Sequence, residues 1–513
     1  MHPLRRLADA PWAPPLATAA VAAFPLAALL YVSVSRLGYP WSLEWIEGAC
    51  VAMARRFADG LPVYVEPSAE HVALPYYPLY FVVTGVLLKA TGAVYWAGRL
   101  VSLLAALATG GLVFWTVNRA VKRPAAGLVA AGMWFAAYGY SGFFYDLNRV
   151  DSLAMFFLMA AYAAAFARPG AAAGAIGGLL LAASALTKQN HAAFLAPILV
   201  AQLLRRDFRG AAAFFAAFLG PFGTAHWLWN RQSGGWFALL TEEVVVIDVV
   251  ASRPFEFFAQ YGRHFAAAAA VILLGVEPLI RDRRWRDLLG DPWFGFWAGG
   301  VALSLVCNLW PAAYINANMP AALATSVAAG MALPAMVARF AGKGDGPPRT
   351  ATRWVLPVLA AALVFGAYSP IKGQIPTTAQ WVAAQKLRDV IRAERGPVLI
   401  EDFAPPEPNV LPFHEIAMYD MGLGAERVLW KKTWTWKLRG ELAAAQPTAV
   451  FSQGDLRNAP SYARVVAGMT HERLPRSLRV CTVTGKFTTL EHVYRRPASA
   501  AVVHDVAPKV PGE

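Results

Sequence analysis

Charge is what this sequence has least of. Asp, Glu, Lys and Arg make up 15% of its 513 residues, against about 25% in a soluble domain. With 57% hydrophobic residues and a mean hydropathy of +0.42, that shortage excludes an ordinary soluble chain and points to an integral membrane protein. Cysteine is nearly missing as well. Cys50, Cys307 and Cys481 are too few and too scattered for a disulfide framework or a cysteine-held metal cluster. Acids are outnumbered by bases, and the net charge is +14. In a membrane protein that excess does not imply nucleic acid; what matters is where the basic residues lie. The chain has no internal repeat, and no low-complexity segment beyond a bias toward alanine.

What it has in abundance is apolar runs of spanning length, about 20 residues. The first, from about Leu16 to Val34, follows Arg5 and Arg6. It is long for a signal-peptide core and no small-residue cleavage site follows it, so it reads as an uncleaved span with a cytoplasmic N-terminus. Further runs fall near 98–117, 125–141, 152–167, 172–187, 191–204, 210–229, 264–280, 293–310, 319–340 and 354–370. The run 74–96 (LPYYPLYFVVTGVLLKATGAVYW) is ambiguous, because Pro75, Pro78, Gly85, Lys89 and Gly92 interrupt it. Loop charge decides its status. If it does not cross, then 118–123 (NRAVKR), Arg168, 205–209 (RRDFR), 281–287 (RDRRWRD) and 342–353 (GKGDGPPRTATR) all fall on the side of Arg5 and Arg6. If it crosses, these basic loops all lie outside, against the positive-inside rule. The expectation is therefore about eleven spans, with 74–96 lying in the outer interface as part of a first outer loop, 36–97.

Residues 371–513 are richer in charge. A helical pattern covers 377–395, PVLIED (397–402) and TAVFSQ (448–453) read as short buried strands, and 479–495 reads as a hairpin. The expected fold is an α-helical polytopic membrane domain over 1–370, followed by a small extracytoplasmic α/β domain over 371–513.

With that topology the polar residues gather at the outer ends of the spans. Glu44 and Glu47, in SLEWIEGA (42–49), stand three residues apart, on one face of a helix. They read either as solvated loop acids or, among Trp41, Trp45 and Ile46, as desolvated carboxylates suited to general-base work. Arg149 and Asp151 are either a structural pair at the start of a span or part of a site. Lys188-Gln189-Asn190-His191 either satisfies the backbone of a tight turn or presents a cation to a lipid phosphate. His191 has no second ligand at metal spacing and reads as a headgroup-level residue. Asn316 and Asn318 either serve the backbone before Pro320 or reach sugar hydroxyls. In the tail, Glu401, Asp402, His414 and Glu415 read as turn residues without chemistry.

These residues occur in an ordered set of motifs. An acidic loop with Glu47-Gly48 is followed by RFADGLPVY (56–64), YYPLY (76–80), GAVYWAGRL (92–100), NRVDSLA (148–154), LTKQN (186–190) and INANMP (315–320). Over roughly 16–340 the chain resembles the C-type (GT-C) integral-membrane glycosyltransferases, which include family 39-like enzymes, protein O-mannosyltransferases and the aminoarabinose transferases of lipid A. The resemblance implies a polyprenyl-phosphate-linked sugar donor, action at the outer face, a catalytic acid in the first outer loop and interfacial helices in that loop. By the same resemblance Glu47 matches the catalytic acid, Arg149 and Asp151 the R-x-D region opening a later span, and Lys188 the lysine near the donor phosphate. Tyr77, Gln189, His191, Asn316 and Asn318 join the substrate-binding set. Many relatives carry adjacent acids where this chain has Glu44 three residues upstream. That departure puts a divalent metal in doubt, and the sequence establishes no cofactor.

The expected activity is transfer of a sugar from polyprenyl phosphate to a hydroxyl of a glycan, lipid or protein acceptor, with inversion at the anomeric carbon. The expected location is the outer face of a bacterial inner membrane. The rivals are a lipid-linked sugar or polysaccharide transporter, which needs a continuous polar path that the spans hardly offer, and a non-catalytic membrane scaffold.

Overall fold

The computed structural model describes residues 10–69, 71–92, 94–243, 249–310, 313–341, 350–401, 407–411, 440–459, 462–485 and 489–497. A helix occupies each of the expected spans: α1 (Ala13–Arg36), α4 (Trp96–Val121), α5 (Pro124–Ala136), α6 (Asp151–Ala165), α7 (Ala171–Thr187), α8 (Leu195–Leu204), α9 (Phe208–Gln232), α10 (Arg253–Arg281), α11 (Pro292–Asn308), α12 (Met319–Ala341) and α13 (Val355–Ala367). By length and composition α1, α4, α9, α10 and α12 can each cross a membrane. Their ends follow local chemistry. Asp207 accepts from Gly210 N at the start of α9, and Asp291 accepts from Trp293 N and Phe294 N ahead of Pro292 at the start of α11.

Two helices fill the loop after α1: α2 (Glu47–Ala58) and α3 (Leu79–Thr91). At 13 residues, α3 is about 20 Å long, short of the about 30 Å of a hydrocarbon core. It packs closely on α2. A Cβ at Gly85 would stand 2.7 Å from Ala54 O, so only glycine permits that approach.

Contacts sort the loops onto two ends of the bundle. At one end Arg119 donates to Ala167 O, Asp207 accepts from Gly170 N, Arg286 reaches Leu204 O, and Arg339 pairs with Glu277. These are loops and helix ends of the basic set. At the other end the 36–97 loop meets the turns before α6, between α7 and α8, and before α12.

In the tail, α14 (Thr378–Ala393) begins at a capping box in which Thr377 and Gln380 satisfy each other's backbone N–H. Its Leu387 and Ile391 pack with β1 (Val398–Ile400) and β2 (Ala449–Ser452), which run parallel. Two more strands, β3 (Thr470–Arg473) and β4 (His492–Arg495), complete a sheet of order β1-β2-β4-β3. Of the hairpin expected over 479–495, one antiparallel bridge is present, Cys481 with Thr489, where Leu490 N donates to Val480 O; β4 itself pairs antiparallel with β3 and β2. Residues 480–485 leave the sheet because Val480 and Val483 are buried in the main core, where Val483 N and Thr484 N both donate to Leu43 O.

Candidate active site

Two buried arginines organise the loop between α1 and α2. Arg99, in the first turn of α4, grips Glu47 along one edge of its guanidinium: Nη2 to Oε2 is 2.7 Å and Nε to Oε1 is 3.0 Å. Neither side chain is exposed. The Glu47 carboxylate also accepts from Leu43 N at 2.7 Å and Asn148 N at 2.8 Å, and Asn148 Oδ1 in turn accepts from Tyr80 OH. Glu47 is therefore saturated, with four donors on two oxygens. Arg36, at the end of α1, does the same for Asp146, at 2.6 Å, and donates to Thr484 Oγ1 of the tail.

Glu44 is placed differently. It lies on the wall of a cavity of about 220 Å³ that also takes in Trp45, Tyr76, Arg149, Lys188, Gln189, Asn190, Cys307, Trp310, Tyr314 and Asn316. Its carboxylate accepts from Ile46 N at 3.0 Å and from Arg149 Nη1 at 3.1 Å. Burial pushes its pKa up to about 7, because withdrawal from water penalises the carboxylate more than Arg149 and the Ile46 N–H favour it.

Lys188 extends from the turn after α7 to Asp151 Oδ1 at 2.6 Å, and Asn316 Nδ2 donates to the same oxygen at 2.9 Å. Asp151 stands in the first turn of α6 and caps nothing with its side chain; it anchors two cavity residues instead. Arg149 Nη2 donates to Tyr76 OH at 3.0 Å, which holds the guanidinium between Glu44 and the aromatic wall. Gln189 Nε2 is fastened to Pro75 O and Thr241 O, and Asn190 Nδ2 to Cys307 Sγ. Their side-chain carbonyl oxygens, both buried, have no partner among the described residues.

Of the residues singled out by sequence, the structure thus gathers Glu44, Arg149, Lys188, Gln189 and Asn316 at the cavity, with Asp151 behind them. It sets the others apart. Glu47 stands behind the loop, held by Arg99. Tyr77 turns away to Glu242 and His226 and stacks on Phe222, while its neighbour Tyr76 lies on the cavity wall. His191 is buried beneath the turn against Ser184 Oγ at 2.8 Å. Asn318 bonds to Gln260 and Asn308, away from the cavity. Asp402, His414 and Glu415 lie outside the described residues. Glu401 accepts from Gln453 N, as a strand-end residue does.

Sequence reading passed over Arg99 and Arg36. The signal was there but not specific: an arginine at the end of an apolar run either reaches out to the interface or is paired in the interior. Trp310 and Cys307 carried no such mark. Among the described residues no three His, Cys, Asp or Glu side chains come together in a group able to hold a metal ion.

No family model matches the chain, and no curated protein sequence matches it. Solved structures do. The structure of ArnT from Cupriavidus metallidurans in the apo state superposes with a TM-score of 0.56 at 14% identity, covering 93% of this chain and 98% of that one. The same protein bound to undecaprenyl phosphate gives a TM-score of 0.54 at the same identity and coverage. Likeness at this identity shows fold, and it spans membrane bundle and tail together. The chain shares the fold of these structures, a polytopic helical membrane bundle followed by a small α/β domain.

Proposed function

We propose that this protein is a membrane glycosyltransferase that moves a sugar from a polyprenyl-phosphate donor to an acceptor hydroxyl, at the outer face of a bacterial inner membrane. The observation that carries the proposal is the wall of the cavity. One buried carboxylate, Glu44, shares it with two cations, Arg149 and Lys188. The similar fold binds undecaprenyl phosphate in ArnT, which supports a donor of that class.

In this reading the general base is Glu44, with Glu47 as its scaffold. Glu44 takes the proton of the acceptor hydroxyl, whose oxygen attacks the anomeric carbon in line while the bond from that carbon to the phosphate oxygen breaks. The product is inverted. The departing phosphate gains a negative charge, which Lys188 and Arg149 stabilise. Asp151 and Asn316 keep Lys188 in place. Gln189 and Asn190 line the same cavity, and neutral amides at these positions suit an uncharged sugar.

The test is turnover in proteoliposomes with labelled polyprenyl-phosphate sugars, read as release of polyprenyl phosphate. Glu44→Gln is expected to lower kcat by about 10²–10⁴-fold while donor binding persists. Full turnover in that variant removes Glu44 as the base. Donor crossing the bilayer with no glycosidic product formed returns the transporter reading.

A further inference from the structure

A second cavity, of about 270 Å³, lies at the opposite end of the helices that hold the first. Glu44's cavity is lined just before α6 and along the end of α11. The second is lined by Phe166, just past α6, and by Trp293, at the start of α11. Its cations are Arg119, near the end of α4, and Arg205, just after α8. No carboxylate lines it. The acids closest along the chain, Asp207 and Asp291, are turned to backbone N–H groups of helix starts. Arg119 gives one hydrogen bond, from Nη2 to Ala167 O at 3.2 Å. The guanidinium of Arg205 has no hydrogen-bond or ion-pair partner among the described residues; it stands 6.0 Å over the ring of Phe166. Two cations facing one space without an anion repel each other, and an anionic ligand removes that cost.

The approach to this cavity shows what kind of anion fits. Along α4, Leu104, Ala108, Gly111, Trp115 and Arg119 are all exposed, and their spacing of three and four residues puts them in one stripe. At Gly111 a Cβ would meet nothing within 4 Å. The stripe is a shallow apolar track with small residues in its middle, and it ends at the two arginines. Trp115, at 46% exposure, stands where track and cavity meet, the depth at which tryptophan sits between acyl chains and headgroups.

We propose that this cavity is a binding site for an anionic glycerophospholipid: its phosphate lies between Arg119 and Arg205, and an acyl chain runs along α4 past Trp115 and Gly111. Basic pockets between spanning helices are known to hold such headgroups. The inference stands apart from the glycosyltransferase reading, since it uses none of the residues around Glu44.

The experiment titrates purified protein in detergent with phosphatidylglycerol, phosphatidylcholine or inorganic phosphate, and reads the thermal midpoint and the mass of the intact complex. Phosphatidylglycerol is expected to raise the midpoint and remain bound at one copy per chain, and the other two to do neither. The Arg119→Gln/Arg205→Gln double variant is expected to weaken phosphatidylglycerol binding about thirtyfold, roughly fivefold per arginine. Equal responses to phosphatidylglycerol and phosphatidylcholine overturn the proposal, as does undiminished binding in the double variant. A response to inorganic phosphate equal to that of phosphatidylglycerol also overturns it, because the site then takes a soluble anion. Gly111→Leu leaves both arginines in place and blocks the track. It decides the matter if the double variant fails to fold: at least fivefold weaker binding supports the lipid site, and unchanged binding overturns it.

Discussion

Glu44 and Glu47 stand three positions apart and meet different arginines, so equal chemistry at the two positions has opposite consequences. Glu47 and Arg99 are both fully buried and bidentate. Glu47→Gln removes the anion and leaves a buried guanidinium unmatched, at a cost of about 3–5 kcal/mol. A lowered thermal midpoint and loss of monodisperse protein are the expected readouts. Glu44→Gln, by contrast, should fold as the parent chain and fail in turnover. The raised pKa of Glu44 adds a pH signature. Below about 7 the carboxyl is held protonated by burial, so kcat/KM should climb with pH and level off above that value. Rates measured from about pH 5 to about pH 9 check this, and a flat profile speaks against Glu44 as the base. Stability runs the other way. The folded state binds this proton more tightly than the unfolded one, so the contribution is full below the ordinary value of 4.5 and is lost as pH rises through about 7. Glu44→Gln should flatten that slope.

At the scale of elements, the loop 480–485 does most to shape the site from outside the bundle. It leaves the sheet, donates twice to Leu43 O, and turns at Gly485, whose φ is +78°. A Cβ there would stand 3.1 Å from Glu44 Cγ. Gly485→Ala therefore combines backbone strain of about 1–2 kcal/mol with pressure on the base. The expected result is a drop of about tenfold in kcat/KM with donor affinity unchanged, read from steady-state rates beside donor-binding isotherms. Unchanged rates would mean that Glu44 tolerates displacement. The adjoining Thr484 accepts from Arg36, which also holds Asp146. One buried cation thus ties the end of α1, the turn before α6 and the tail together.

On the scale of the whole molecule, the tail is fastened to the membrane domain through Leu43, Arg36 and Gly485 rather than hinged beside it. A chain ending near Pro370 keeps the Arg36–Asp146 pair and the Lys188 turn, but Leu43 O loses both of its donors from the tail. It should bind a polyprenyl-phosphate sugar within about threefold of the full chain, since the cations are untouched, and lose turnover because the Glu44 loop is no longer held. Donor binding and turnover measured on the same preparation separate these effects. Binding lost together with turnover would mean that the tail supports the donor site itself.

Sequence alone determined the membrane class, the positions of the apolar runs, the end at which polar residues gather and the resemblance in fold, because these depend on composition and period along the chain. It also led to Glu44, Arg149, Lys188, Gln189 and Asn316, because polar residues at the ends of apolar runs are costly enough to be conspicuous. Tertiary structure alone decided which acid faces the cavity. The spacing of Glu44 and Glu47 puts both on one face of a helix, but α2 begins only at Glu47. Glu44 therefore sits in a loop whose direction is set by Arg99, Asn148 and the tail, none of them near in sequence. Tyr76 and Tyr77 were indistinguishable for the same reason. They are adjacent in sequence, and the partners that turn one toward Arg149 and the other toward His226 and Glu242 lie about 70 or more residues away. Long-range pairing of buried charges carries no period, so only the folded chain reveals it.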